Sequence, residues 1–170
     1  MVLNAPAGAC TKLLGLRGPT TTLTTGDGSG LVALVYAALF LGARADADHL
    51  LAGGLDERDA DQLAAGLVDE AACLVLSSAP GKGPPVRLAG FGLAGPGALA
   101  DAVAQARRQA GLSGDEPREA APALSTAAAS GSLGACAAAL EALRRGEARS
   151  LIVTDPGGSA ASAVILTTNR

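Results

Sequence analysis

Gly26-Asp27-Gly28-Ser29-Gly30 is the stretch of this chain whose residue types come nearest to chemistry. It separates a threonine run, Thr20 to Thr25, from a long apolar run, Leu31 to Leu41. A carboxylate at such a junction suits a helix N-terminus, where free N–H groups and the dipole favour negative charge. Asp27 also suits a plain turn beside glycines. Ser29 has the hydroxyl of a nucleophile, but an elbow is written Gly-x-Ser-x-Gly, and Gly28-Ser29-Gly30 has the wrong spacing. The only histidine available as a base is His49. A phosphate loop fits no better: no Lys follows, and Gly26, Gly28 and Gly30 keep a two-residue rhythm instead of GxGxxG. Asp155-Pro156-Gly157-Gly158 reads as a turn. Cys10, Cys73 and Cys136 lie far apart without a CxxC pair, so they read as reduced small side chains and not as zinc or redox sites. No metal and no cofactor is expected.

The elements that must position these residues follow from pattern. Ala9 to Leu16 suggests a short helix, and Gly18-Pro19 a turn. Thr20 to Thr25 predicts a strand, because β-branched side chains favour one. Leu31 to Leu41 is apolar on every face and too long for a buried strand, so it predicts a helix buried all round, stopped by Gly42. His49 to Ala52 predicts a short strand closed by Gly53-Gly54. Asp56 to Asp69 reads as a loop with a helical segment, Ala71 to Ser78 as a strand, and Ala79 to Pro85 as a hairpin-like turn. Val86 to Leu93 is the next strand. A helix runs from Gly97 to about Ala110, with Arg107 and Arg108 near its C-terminus and Gly111 as C-cap. Residues 113–122 read as loop. Leu133 to Arg145 is a second Ala-rich helix ended by Gly146. Ala148 to Thr154 and Ser162 to Thr168 are strands joined by the turn at Asp155. The alternation of strands and buried helices predicts an α/β fold with a mixed central sheet, in a single domain over residues 1–170.

Composition bounds the partners. The 170 residues carry a net charge of -3, with 49% hydrophobic and 17% charged residues. The tight basic pairs are Arg107-Arg108 and Arg144-Arg145, too little for a nucleic-acid surface. A low charge for the size points to a surface partly used as an interface, or to a codon bias toward Ala and Gly. The apolar run Leu31 to Leu41 is too short to span a bilayer, and no signal peptide is evident, so a cytoplasmic location without membrane contact is expected.

Taken in order, these segments resemble the condensing-enzyme (thiolase-like, β-ketoacyl-ACP synthase) family. Gly18-Pro19-Thr20-Thr21-Thr22-Leu23-Thr24-Thr25-Gly26-Asp27-Gly28-Ser29-Gly30-Leu31-Val32-Ala33 is similar to a ketosynthase nucleophile segment: Gly-Pro, a strand ending in Thr, then Ala-Cys-Ala-Ser-Ser-Leu-x-Ala. Asp48-His49-Leu50-Leu51-Ala52-Gly53-Gly54 is similar to the strand and glycine pair that follow. Val86 to Gly92 and Ala98 to Leu112 resemble the strand and helix that open the second half. Ser130-Gly131-Ser132-Leu133-Gly134-Ala135-Cys136-Ala137 resembles Gly-His-Thr-x-Gly-Ala-Ala-Gly, and Gly157-Gly158-Ser159 resembles the Gly-Gly-Thr-Asn of the last glycine-rich loop.

The resemblance implies a shortened thiolase-like fold and puts the chemistry in doubt. A condensing enzyme needs a thiolate to accept the acyl group and histidines to stabilise the enolate. Asp27 stands at the cysteine position and Gly131 at that of one histidine. The His-Gly-Thr-Gly-Thr stretch is absent, and Ala160 replaces the family's asparagine. His49, on the matched strand, is taken as structural. The chain thereby resembles the chain length factor of two-subunit polyketide synthases, which lacks the nucleophile and shapes the product tunnel. The implied role is a non-catalytic subunit that pairs with a catalytic ketosynthase, meeting acyl carrier protein indirectly. Thr22, Thr24, Thr25, Asp27, Ser29, Gly157 and Gly158 are the candidate acyl-binding or interface residues, with Thr20 to Thr25 and Leu31 to Leu41 at the subunit interface. The alternatives are a small acyltransferase, decarboxylase or hydrolase with altered chemistry, and an inactive homodimeric acyl-binding module.

Overall fold

The computed structural model describes residues 5–26, 28–66, 69–79, 85–112, 118–119 and 129–168. In chain order the elements are α1 (Ala5–Leu14), α2 (Ser29–Ala43), β1 (His49–Asp56), α3 (Ala60–Ala64), β2 (Glu70–Ser77), β3 (Val86–Ala94), α4 (Leu99–Ala110), β4 (Arg118–Glu119), α5 (Ala129–Arg144), β5 (Ser150–Asp155) and β6 (Ala161–Thr168).

These form four layers. The central sheet has the order β3-β6-β5-β4, antiparallel at β3–β6 and β5–β6 and parallel at β4–β5. Helix α4 covers one face of it, while α2 and α5 cover the other. Beyond α2 and α5 lies the antiparallel hairpin β1–β2 as a second sheet.

Strand alternation builds the two cores. On β5 and β6, Leu151, Val153, Val164 and Leu166 point to the α2/α5 layer and join Leu31, Leu34, Val35, Leu133, Cys136 and Leu143. Ile152, Ala163 and Ile165 point the other way and meet Ala102 and Ala106 of α4. Successive side chains leave a strand on opposite faces, so both faces must be apolar in a strand covered twice. The low aromatic content fits this packing, because α4 approaches β3 through backbone. A Cβ on Gly92 would lie 1.9 Å from the Ala102 carbonyl oxygen, and one on Gly90 2.2 Å from that of Ala106. Helix α4 ends at Gly111, whose φ of 66° lets its N–H cap the Arg107 and Arg108 carbonyls.

Several expectations are corrected. Thr20 to Thr25 is not a strand: it belongs to no ladder and is mostly exposed. A β-branched run becomes a strand only where a neighbour accepts its backbone bonds, and propensity does not supply that neighbour. Helix α2 is not buried all round. Leu31, Val32, Leu34 and Val35 are buried, but Tyr36, Leu39 and Phe40 are 40–47% exposed, since the layers on either side cover its first turns and not its last. Strand β1 does not close at Gly53-Gly54 but runs through both to Asp56, held by the register with β2. The turn expected at residues 79–85 lies mostly outside the described residues, and the strands on either side of it, β2 and β3, belong to different sheets instead of forming a hairpin. Most of the loop at residues 113–122 lies outside the described residues, and within it Arg118–Glu119 forms β4. The β5–β6 hairpin, the α4 C-cap and the end of α5 at Gly146 follow the sequence reading.

Candidate functional site

The N-terminus of α2 is the best-built junction in the molecule. Gly28, at the N-cap, has φ 86°, the left-handed region that disfavours side chains. Its Cα faces the end of β5 so closely that an added Cβ would lie 2.8 Å from Asp155 Oδ1. Ser29, at the first turn, is buried. Its hydroxyl accepts from the Thr25 backbone N–H at 2.9 Å and donates to the Gly26 carbonyl at 2.5 Å, with Thr25 Oγ1 3.3 Å away. The hydroxyl therefore pins the loop that enters the helix. Its donor is committed, so it is not poised to attack an acyl group.

The loop between β5 and β6 closes over the same junction. The Ser159 backbone N–H donates to the Thr25 carbonyl at 3.3 Å, and the Ser159 hydroxyl donates to that same oxygen. Asp155 folds back on its own turn, its Oδ1 accepting from Gly157 N–H at 2.8 Å. This fixes the carboxylate beside the start of α2, where a helix dipole stabilises negative charge.

The first turn of α5 points to the same end of the sheet. Helix α5 is joined to β5 by the tight turn at Gly146 and packs along it antiparallel. Its 16 residues span about 24 Å and the strand's 6 about 20 Å. Gly131 and Ser132, both buried, therefore lie toward the Asp155 end. Ser162, cross-strand from Asp155, shares its face of the sheet. The Ser132 and Ser162 hydroxyls are buried and have no hydrogen-bond partner among the described residues.

The structure thus brings together Thr25, Ser29 and Gly157 of the expected site. Gly158 is exposed on the closing loop, Thr22 and Thr24 are exposed on the approach, and Asp27 lies outside the described residues. His49 is exposed at the start of β1, opposite Ser77. Asp155, Ser132 and Ser162 were missed as site residues. Asp155 reads as a turn residue, and the cross-strand register that couples it to Ser162 and the close approach to Gly28 carry no local sequence signal.

Cys10 and Cys73 are free and exposed, and Cys136 is free and buried in α5. Burial pushes the Cys136 thiol up to about 12, so it is a neutral core group and not a nucleophile. No group of three or more His, Cys, Asp or Glu among the described residues is arranged to hold a metal ion. No described helix is long and apolar enough to cross a membrane.

No protein-family profile and no curated protein matches the sequence. Among solved structures, the chain is similar to a β-ketoacyl synthase from Burkholderia phymatum STM815, with a TM-score of 0.75 and 15% sequence identity. The match covers 96% of this chain and 65% of that one, so the chain spans just under two thirds of its structural neighbour. At this identity the likeness establishes the class of fold: a mixed α/β, thiolase-like, ketosynthase-like architecture.

Proposed function

We propose that this chain is a ketosynthase-like subunit without condensing chemistry of its own. On this reading it pairs with a catalytic ketosynthase in polyketide or fatty-acyl synthesis and helps to shape the acyl tunnel. One observation carries the proposal. The segment entering α2 is tied to the Ser159 loop by hydrogen bonds at Thr25, while Asp27 and Gly131 stand in the sequence at the positions that the resemblance gives to the thiolate and the imidazole. A carboxylate cannot form the thioester on which condensation depends, and glycine cannot polarise a carbonyl.

Exposed apolar surface supports a partner. The outer face of the β1–β2 hairpin pairs Leu51 with Val75 and Leu55 with Ala71, and Val75 is 67% exposed. Tyr36, Leu39 and Phe40 form an apolar stripe on α2 at positions i, i+3 and i+4. Residues 20–25 approach the site without ladder bonds, as a segment awaiting a neighbouring strand would. Exposed apolar residues grouped on one face mark interaction sites. Acyl hydrolysis is less well supported, because the Ser29 hydroxyl is bound into its own loop.

The test is assembly. The purified chain, alone and co-expressed with any ketosynthase found encoded beside its gene, is examined by native mass measurement and light scattering. A stable heteromer is expected, weakened by Leu39→Glu or Val75→Glu. A chain that stays monomeric at high concentration, and separate from that neighbour, would remove the subunit reading.

A further inference from the structure

Among the described residues, strand β3 is an outer strand of the four-stranded sheet, with β6 on its inner side. An outer strand presents backbone N–H groups along its free edge, a template on which another chain can add a strand. Here two of those groups are already taken. The Phe91 N–H donates to Gln109 Oε1 at 2.7 Å, and the Leu93 N–H to Gln105 Oε1 at 3.0 Å. Phe91 and Leu93 are two apart, so their N–H groups leave the strand on the same side. Gln105 and Gln109 are four apart, so their side chains rise from one face of α4. The two spacings match. Four helix residues advance about 6.0 Å and two strand residues advance about 6.8 Å.

The close approach of α4 makes the match possible. Gly90 and Gly92 bring the helix backbone onto the strand, which places glutamine side chains within reach of the edge. Both glutamines are otherwise exposed and lie outside the apolar stripe formed by Ala102 and Ala106. Packing therefore does not account for their identity, whereas an amide oxygen at that reach does.

From this we infer that Gln105 and Gln109 act as a surrogate strand that closes the β3 edge to strand addition. Any partner of this protein is thereby excluded from extending the central sheet at β3, and copies of the chain are kept from joining edge to edge. The inference is independent of the partner proposed above, because it concerns the side of the sheet away from β4 and rests on two hydrogen bonds between α4 and β3.

The test removes the acceptors while keeping side-chain volume. The Gln105→Met/Gln109→Met double variant is compared with Gln105→Glu/Gln109→Glu, which retains an acceptor oxygen at each position. Residue-resolved amide exchange and sedimentation velocity over a range of concentrations are read for each. In the Met variant, exchange at Phe91 and Leu93 should accelerate by about tenfold or more, and a concentration-dependent larger species should appear. The Glu variant should retain the parent's exchange and mass. Unchanged exchange at both amides in the Met variant would overturn the surrogate strand, and faster exchange without a larger species would overturn its barrier role. If the double variant does not fold, the single variants Gln105→Met and Gln109→Met serve, each expected to release its own amide, Leu93 or Phe91 respectively.

Discussion

Replacing Gly92 by alanine tests whether α4 truly rests on the backbone of β3. The added Cβ would lie 1.9 Å from the Ala102 carbonyl oxygen, 2.7 Å from its carbon and 3.0 Å from its Cα. These are main-chain atoms of a helix, so no side-chain rotation can relieve the clash. To regain an ordinary separation, α4 must retreat by roughly 1.5 Å, a large displacement for a close-packed interior. That retreat opens gaps around Ala102 and Ala106, both fully buried, and pulls Gln105 away from the Leu93 N–H. Overpacking costs about 1–3 kcal/mol, and a backbone obstacle places this case at the upper end. Alanine recovers about 0.5–1 kcal/mol of the entropy that glycine loses in a strand, so a net loss of about 2–2.5 kcal/mol is expected. For a chain of this length that lowers the melting temperature by roughly 5–10 °C. Urea and thermal unfolding of Gly92→Ala measure it, with Gly95→Ala as control, because a Cβ there meets nothing within 4 Å. A Gly92→Ala protein within about 0.5 kcal/mol of the parent would refute the close-approach account of the α4 layer.

Gly28→Ala should destabilise by about 1–3 kcal/mol, since φ is 86° and the Cβ would press on Asp155; adding Asp155→Ala should recover the contact part of the loss and not the backbone part, as read by urea unfolding. Ser29→Ala removes an acceptor for Thr25 N–H and a donor to Gly26, and should cost about 1–3 kcal/mol, with faster amide exchange at Thr25. Burial raises the Cys136 thiol to about 12 from 9.0, so the unfolded chain loses this proton first as pH rises. Stability from this group is therefore intact below pH 9 and falls between pH 9 and 12, by up to about 1.4 kcal/mol per pH unit, a slope that Cys136→Ala should flatten in unfolding series from pH 8 to 11. Incubating the purified chain with acyl- and malonyl-loaded carrier protein should yield no condensed product; a clear product would contradict the assignment of Asp27 and Gly131 to the reacting positions.

What was legible in the sequence divides along the range of the interactions. Helix α2, the C-cap at Gly111, the end of α5 at Gly146 and the β5–β6 hairpin are specified by local signals: an apolar run, a glycine after a helix, a turn tetrapeptide. Each was found at those residues, except that α2 begins at Ser29 and is not stopped by Gly42 but runs through it to Ala43. The failures all depend on partners distant in the chain. Thr20 to Thr25 has strand propensity but no ladder, and β1 runs through Gly53-Gly54 because β2 pairs with both glycines. Strands β2 and β3 adjoin in sequence yet serve different sheets. The site shows the same division. The Gly26–Gly30 segment is conspicuous by composition, whereas Asp155 enters through its approach to Gly28 and Ser159 through two bonds to one carbonyl oxygen of residue 25.

On the proposed reading, the features of the site can be weighed by their structural cost. A left-handed Gly28, a serine bound into its own entry loop and a second loop tied across 134 residues are specific requirements, and all are met. The positions that the family resemblance assigns to the thiolate and the imidazole impose no comparable demand on folding. Asp27 is a residue type favoured at helix starts, and Gly131 sits buried in the first turns of α5 where small side chains pack. On the proposed reading, the geometry at the start of α2 serves a role other than condensation. The exposed stripe of Tyr36, Leu39 and Phe40 continues from the helix that begins at this site, and the hairpin face at Leu51 and Val75 belongs to the layer packed on that helix. On the proposed reading, the site end and the apolar face are therefore mechanically joined through α2. A partner seated on the stripe would bear on the same rigid element whose first turn is fixed by Ser29 and Asp155, so Leu39→Glu should weaken assembly while leaving the Ser29 and Ser159 hydrogen bonds in place.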